Sequence, residues 1–269
     1  MKNARNLSAA DRATWRSLHG VFADIDDTLT TEGRLTADAY AAMERLRAAN
    51  LLVIPVTGRP AGWCDAIARQ WPVDAVVGEN GALYYRYDHA ERKMIRRYAQ
   101  SDAERAASRN RLSAIAERIL REVPGCAISA DQSFREVDLA IDYCEDVPRL
   151  PDAAVERIAA IMSEAGLTAK VSSIHVNGWF GRHDKLSMAT VLMREAFGID
   201  LEAERARFAF VGDSPNDEPM FRFFPHAVGV ANVRDFERRI ATMPAYVTPS
   251  RGGSGFAEFA NAVLAAREN

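Results

Sequence analysis

The sequence predicts an α/β protein in which a parallel sheet is covered on both faces and an α+β unit is inserted between two parts of the chain. Nearly continuous apolar runs alternate with helical patterns through residues 1–84 and again through 183–269. Strands of a parallel sheet have this character, because helices bury both of their faces. Residues 85–182 instead combine a hairpin, long helices and alternating strands, which indicates a separate unit.

The strands of the parallel sheet are predicted where short runs are rich in β-branched and aromatic residues. These runs are 21–25, 51–57, 74–79, 207–213, 226–231 and 245–249. Helices are predicted at 36–50 and at 60–71, where Pro60 suits the first turn. Another helix is predicted to open after Asp184, a good N-cap, and a short helix capped by Ser8 precedes the first strand.

The inserted unit is predicted to begin with a hairpin, because the runs "ALYYRYD" and "KMIRRYA" flank the polar turn "HAER". A long amphipathic helix follows over 102–122. Strand-like runs come next at "CAISA", "FREVDLAIDY" and 169–180, with a second helix before the last of them. The final strand is expected to break near Asn177 and Gly178.

Composition excludes several classes of function. The chain is 48% hydrophobic and carries a formal net charge of −3, so it lacks the basic character typical of a nucleic-acid-binding protein. No apolar run approaches the roughly 20 residues that cross a membrane, and the polar N-terminus does not resemble a secretory signal. The three cysteines, Cys64, Cys126 and Cys144, are far apart, and we expect reduced thiols in a cytoplasmic protein.

Polar residues follow predicted strands or open a helix at four places along the chain. In a parallel sheet the carboxyl ends of the strands lie at one edge, where ligands bind. The sequence therefore predicts that six side chains meet there: Asp24, Asp26, Thr57, Lys185, Asp213 and Asp217.

This cluster would contain four carboxylates and one ammonium group. Close carboxylates do not all stay ionised unless a cation joins them. Oxygen ligands without nearby histidine or cysteine favour Mg²⁺, which also accepts phosphate oxygens. A lysine, a threonine hydroxyl and loop N–H groups are suited to hold further phosphate oxygens, so the sequence predicts phosphoryl transfer.

These segments resemble the motifs of the haloacid dehalogenase-like (HAD) phosphohydrolases. "DIDDT" matches their DxDxT signature, "VTGR" resembles the second motif, Lys185 the third, and "GDSPND" the fourth, in the family's order. The resemblance implies a Rossmann-like three-layer core with a parallel sheet. The large block between Thr57 and Lys185, together with "GENGA" before it, resembles the C2b-type cap of subclass IIB. That group includes Cof-like phosphatases, sucrose-phosphate phosphatase, mannosyl-3-phosphoglycerate phosphatase and phosphomannomutase.

The resemblance also implies roles for the acidic residues. Asp24 is expected to be the nucleophile that becomes a phosphoaspartate, and Asp26 the general acid/base. Their spacing suits this division, because residues i and i+2 of an extended chain point to the same side. Asp213 and Asp217 are expected to hold Mg²⁺ with Asp24 and the backbone carbonyl of Asp26. The neighbouring Asp27 is expected to serve the local turn.

Other residues are expected to bind the phosphate or the rest of the substrate. The resemblance places Thr57, Gly58, Lys185 and Asn216 around the phosphoryl group. Arg59 is interpreted as a substrate or phosphate contact, with a surface ion pair as the alternative. In the cap, Ser173, His175 and Asn177 alternate along a predicted strand. They would contact a sugar there, or lie on a solvated sheet face.

The predicted function is Mg²⁺-dependent hydrolysis of a small phosphorylated metabolite, with a sugar phosphate preferred, through a phosphoaspartate. A phosphomutase is the nearest alternative, since it uses the same motifs. A non-hydrolytic phosphoacceptor or Mg²⁺-binding protein is the alternative from another class. Neither the individual substrate nor the oligomeric state follows from the sequence.

Overall fold

The structure is a computed structural model that describes residues 4–268. The strands, in chain order, are β1 (Arg5–Asn6), β2 (Gly20–Ala23), β3 (Thr30–Thr31), β4 (Arg34–Leu35), β5 (Leu52–Pro55), β6 (Val76–Gly78), β7 (Leu83–Asp88), β8 (Lys93–Tyr98), β9 (Ala127–Ile128), β10 (Leu139–Asp142), β11 (Thr168–Val171), β12 (His175–Trp179), β13 (Phe208–Gly212), β14 (His226–Gly229) and β15 (Tyr246–Val247). The α-helices are α1 (Arg12–Arg16), α2 (Ala37–Ala48), α3 (Ala61–Gln70), α4 (Asp102–Glu122), α5 (Asp152–Glu164), α6 (Lys185–Phe197), α7 (Leu201–Glu204), α8 (Glu218–Phe223) and α9 (Gly252–Arg267).

Within residues 4–268, the central sheet has six parallel strands in the order β1-β15-β14-β13-β2-β5. A single parallel bridge between Val56 and Val77 continues it to β6. The predicted parallel sheet is therefore confirmed. Its edge strand β1 was not predicted, and the short helix α1 is capped by Asp11 rather than Ser8, whose side chain lies in a preceding 3-10 turn.

Helices cover both faces of this sheet, because successive side chains of each strand point to opposite sides. On β2, Val21 and Ala23 pack into a cluster with apolar residues of α1, α2, α3 and α9. Phe22 packs into a second cluster with α6 and α8. The predicted α/β fold with three layers is confirmed.

A second sheet is antiparallel, in the order β11-β12-β10-β9, and α4 and α5 pack on one of its faces. The predicted break in its last strand is wrong. The chain turns at 172–174, where Ser172 Oγ accepts from the N–H groups of Ile174 and His175. Asn177 and Gly178 instead lie inside β12, paired with strands on both sides.

The predicted hairpin forms as β7 and β8, and β7 also pairs with β6. Leu83 and Tyr85 belong to one core cluster of the central sheet and Tyr84 to the other. We therefore propose that the hairpin belongs to the core and that the inserted unit comprises residues 101–180.

Two further expectations concern the chain as a whole. All three cysteines are free thiols, as predicted. Within residues 4–268, none of the helices combines the length and the apolar character that crossing a bilayer requires.

Candidate active site

Four of the six side chains expected at the sheet edge form a buried group in direct contact. Asp24 directly follows β2, Asp213 directly follows β13, and Lys185 is the first residue of α6. One carboxylate oxygen from each of Asp24, Asp213 and Asp217 lies within 4.8 Å of the others. Lys185 Nζ lies 2.7 Å from Asp24 Oδ1 and 2.6 Å from Asp217 Oδ1. This arrangement brings three carboxylates and one ammonium group into one volume.

Two glycines let these groups approach. A Cβ on Gly212 would lie 2.5 Å from Asp217 Oδ2, which accepts the N–H groups of Asp213 and Ser214 at 3.0 and 3.3 Å. Gly81 has φ +96°, and a Cβ there would collide with the carbonyl of Asp184 at the start of α6. The second glycine of "GENGA" therefore allows the helix that carries Lys185 to pack against this loop.

The electrostatics of the group are dominated by burial. Burial raises the pKa of Asp24 to about 8, opposed by Lys185 and reinforced by Asp217 and Asp26. Burial also raises the pKa of Asp213 well above its usual range, and Asp24 and Asp217 add to the effect. Burial tends to lower the pKa of Lys185, but the carboxylates of Asp217 and Asp24 have the larger effect and raise its pKa. One ammonium group is therefore not enough to keep all three carboxyls ionised, and a further cation beside them would favour their charged forms.

The carboxylate of Asp26 is turned towards Arg59 and lies outside this three-oxygen cluster. Arg59 Nε donates to both oxygens of Asp26, at 2.9 and 3.1 Å. The guanidinium also contacts two carboxylates of the inserted unit, with Nη2 2.6 Å from Glu145 Oε1 and Nη1 3.3 Å from Asp131 Oδ2. Its side chain is only 4% exposed, so the alternative of a surface ion pair for Arg59 is wrong: the ion pairs are buried.

Gly58 and Asn216 lie around the same group, and Thr57 precedes Gly58 in the loop after β5. Thr57 is fully buried, and its hydroxyl accepts the N–H of Arg59 at 3.0 Å, which closes the loop after β5. Gly58 and Asn216 line a narrow space together with Asp24 and Asp26. The structure therefore brings Gly58 and Asn216, two of the residues predicted to bind phosphate, to the carboxylates.

β12 of the inserted unit faces this edge. Val176 packs on the helices of its own unit, so His175 and Asn177 point the other way, towards Asp24 and Asp26. Both side chains are buried, which excludes the solvated sheet face. His175 Nε2 lies 2.8 Å from Glu145 Oε2, and Asn177 donates to Asp138 Oδ2 at 3.0 Å. Ser173 lies in the turn before β12 rather than on the strand.

Two adjoining spaces between the core and the inserted unit are lined by Asp26. The space bounded by Asp24 and Asp26 on one side and His175 on the other has a volume of only about 10 Å³. A chamber of about 380 Å³ adjoins it, lined by Asp26, Asp27, Arg59, Glu145, Arg149 and Ser173, among others. Asp27 has φ 56°, and its N–H donates to Thr30 Oγ1, as expected of a turn residue.

A sequence profile of the haloacid dehalogenase-like hydrolases matches residues 21–112. The phosphoglycolate phosphatase of Methanothrix thermoacetophila is 27% identical over 253 residues, which cover 93% of this chain and 98% of that protein. The resemblance to the haloacid dehalogenase-like hydrolases is confirmed. The expectation of a phosphatase is confirmed.

Solved structures establish the fold of this hydrolase. The sucrose-phosphatase of Synechocystis matches with a TM-score of 0.60 at 16% identity, over 93% of this chain and 98% of that chain. A HAD subclass IIB sugar phosphatase matches with a TM-score of 0.58 at 15% identity, over 91% and 96%.

Sequence reasoning missed several residues of the hydrolase site. Asn232 donates from Nδ2 to Asp213 Oδ2 and to the backbone carbonyl of Asp27, both at 2.9 Å. Its Oδ1 accepts the N–H of Gly252 at 3.1 Å. Asn232 follows β14 at the same edge of the sheet as Asp213. Its position just after a parallel strand is the sequence feature from which it could have been predicted.

Asn80, Asp131 and Glu145 were also missed. Asn80 lies beside Gly58, and its Nδ2 is buried without a hydrogen-bond partner among residues 4–268. Such a donor is suited to an anion in the loop after β5. Asp131 and Glu145 lie in loops of the inserted unit, where no local pattern distinguishes them from surface acids.

Proposed function

We propose that this hydrolase is a Mg²⁺-dependent phosphatase that cleaves a small phosphorylated metabolite through a phosphoaspartate on Asp24. The observation that carries the proposal is the contact of Lys185 with both Asp24 and Asp217, in a group that also contains Asp213. A nucleophile, a phosphate-binding cation and a metal-binding carboxylate pair are thus adjacent. Phosphoryl transfer requires such positioning and charge neutralisation.

The residues present fit a hard divalent cation. Asp24, Asp213 and Asp217 offer three oxygen ligands within 4.8 Å of one another, and within residues 4–268 Lys185 is the one ammonium group that contacts Asp24 and Asp217, so a bound cation would favour the ionised form of all three. Mg²⁺ would be held by these carboxylates together with the backbone carbonyl of Asp26. When bound, it would supply positive charge to the phosphoryl oxygens.

The proposed reaction has two steps. A carboxylate oxygen of Asp24 attacks phosphorus, the ester P–O bond breaks, and Asp26 gives its proton to the leaving oxygen. Asp26 then accepts a proton from a water molecule that attacks the phosphoaspartate, which releases inorganic phosphate and restores Asp24. Lys185, the N–H groups after Thr57 and the amide of Asn80 hold the phosphoryl oxygens throughout.

The substrate is proposed from the size of the chamber and the nature of the relatives. A chamber of about 380 Å³ suits a small metabolite. Structural neighbours include sugar phosphatases, whereas the curated relatives are phosphoglycolate phosphatases. We favour a sugar phosphate as the substrate. The test measures the release of inorganic phosphate from a panel of phosphorylated sugars that also includes phosphoglycolate. Release of inorganic phosphate would separate hydrolysis from a mutase reaction, which returns the phosphate to the sugar.

The nucleophile assignment is tested with Asp24→Asn, an aryl phosphate and Mg²⁺. Turnover should fall by about 10⁴-fold or more, since the amide is a poor nucleophile. Asp65→Asn is a matched control, because that aspartate pairs with Arg69 on the surface of α3. Retained turnover in Asp24→Asn would exclude Asp24 as the nucleophile.

A further inference from the structure

Arg59 is the charged contact that joins the inserted unit to Asp26. Its guanidinium is held on one side by Asp26 and on the other by Glu145, whose two oxygens lie 2.6 Å from Nη2 and 3.3 Å from Nη1, while Asp131 Oδ2 also lies 3.3 Å from Nη1. His175 Nε2 contacts Oε2 of Glu145 at 2.8 Å. Although burial works against it, hydrogen bonds from His175 and Arg59 lower the pKa of Glu145 to about 2. Glu145 therefore meets Arg59 as a carboxylate.

The same contacts close the space in which a phosphoryl group must bind. The space between Asp24, Asp26 and His175 has a volume of about 10 Å³, which is roughly the size of the smallest cavity that holds one water molecule. A phosphoryl group with its three outer oxygens is larger. Binding therefore requires that β12 and the loop carrying Glu145 move away from Asp26.

We propose that Glu145 competes with the substrate for Arg59. Its carboxylate pairs with the guanidinium group of Arg59, and this ion pair must break before a phosphoryl group enters. A carboxylate and a phosphate bind a guanidinium fork with similar geometry, so the two exchange on one donor. Glu145 thus lowers the apparent affinity for phosphate compounds by stabilising the closed, empty state. The inference rests on the proposed function in one respect: Arg59 faces the phosphate of the substrate.

The test uses Glu145→Gln and Glu145→Asp in the full chain with saturating Mg²⁺. Gln keeps the length of the side chain and removes its charge, whereas Asp keeps the charge and is one methylene too short for the same contact. Both variants should lower the KM for an aryl phosphate by about 3- to 10-fold, with kcat changed less than about twofold. Glu136→Gln is the matched control, because this carboxylate of the inserted unit is 37% exposed and faces Arg109.

A second readout is independent of turnover. Calorimetric titration with inorganic phosphate should give a Kd lowered by the same factor in both variants and unchanged in Glu136→Gln. If the wild type hydrolyses no phosphate ester, the proposed function fails, yet this titration still decides the role of Glu145.

Three results would overturn the proposal. A lower KM and Kd in Glu145→Gln but not in Glu145→Asp would mean that the charge alone repels anions. An unchanged Kd in both variants would mean that Glu145 does not compete. A fall in kcat at constant KM would mean that Glu145 positions Arg59 for the reaction instead.

Discussion

Lys185 and Asp24 are 161 positions apart in the sequence, yet Nζ of the lysine lies 2.7 Å from Oδ1 of the aspartate in a buried contact. The same ammonium group reaches Asp217 at 2.6 Å. A buried carboxylate that loses its partner is costly, often by several kcal/mol. Lys185 is therefore expected to support the stability of the empty site as well as turnover.

The first prediction concerns Lys185→Met. Turnover of an aryl phosphate should fall by about 10²- to 10³-fold, because a donor to the phosphoryl oxygens is removed. The Tm without metal should also fall, and Mg²⁺ should raise it more than in the wild type, since the cation then replaces the missing positive charge. Thermal unfolding with and without Mg²⁺ measures this. Lys93→Met, on the exposed end of β8, is the control. An equal rise in Tm on addition of Mg²⁺ in Lys185→Met and in the wild type would contradict the prediction.

The second prediction concerns Asn232, which orients Asp213. In Asn232→Ala the affinity for Mg²⁺ should fall by about 10-fold or more, because groups that orient a metal ligand typically have effects of this size. Calorimetric titration with Mg²⁺ measures it. Asn261→Ala removes an asparagine that contacts Arg45 on the surface, and it should leave the affinity unchanged. Equal affinities in all three proteins would show that Asn232 does not act on the metal site.

The third prediction concerns Glu79, a buried carboxylate that connects the core with the inserted unit. It accepts the N–H groups of Ala61, Glu136, Val137 and Asp138 at 2.7–3.1 Å. Glu79→Ala would leave these donors without their acceptor, so the free energy of unfolding should fall by about 3–5 kcal/mol.

Urea denaturation tests this, with Glu202→Ala as the control, since that carboxylate is 70% exposed. The control should change the free energy of unfolding by less than about 0.5 kcal/mol. A loss below about 1 kcal/mol in Glu79→Ala would mean that other acceptors or water satisfy the four donors.

The fourth prediction is a pH dependence of stability that arises from His183. Burial lowers its pKa to about 4, and its ring stacks on Trp179 with a centroid distance of 5.5 Å. The unfolded chain, with an ordinary pKa near 6.5, then binds more protons than the folded one between about pH 6.5 and 4. Stability should therefore be full above about pH 6.5 and decrease as the pH falls through this window. The decrease should be at most about 3 kcal/mol, and less to the extent that the ring is solvated.

His183→Phe keeps the stacked ring and removes the titration, and the buried Nε2 that it deletes has no hydrogen-bond partner among the described residues. Its free energy of unfolding should depend less on pH between 7.5 and 5 than that of the wild type, whereas the exposed His89→Gln should behave as the wild type does. Parallel curves for His183→Phe and the wild type would exclude His183 as the cause.

Local sequence patterns predicted much of the fold. The apolar runs predicted the parallel strands, and the helix predicted at 102–122 is the observed α4. The contact of Asp24, Lys185, Asp213 and Asp217 was also predictable, since the carboxyl ends of parallel strands share one edge whatever the details of packing. Patterns failed where neighbours compete, as in the strand break at 172–174, because the side chain of Ser172 and not the Asn-Gly pair makes the turn.

The sequence by itself determined the α/β architecture and the identity of the central acidic group. Only the tertiary structure decided which partners those groups have. Arg59 and Glu145 are 86 positions apart and lie in loops that follow strands of different sheets, and Asn232 reaches Asp213 from the neighbouring strand end. The physical reason is that strand periodicity and turn chemistry act over a few residues. The partner of a buried charge depends instead on how the two sheets pack and on which carboxylate can neutralise it where water is excluded.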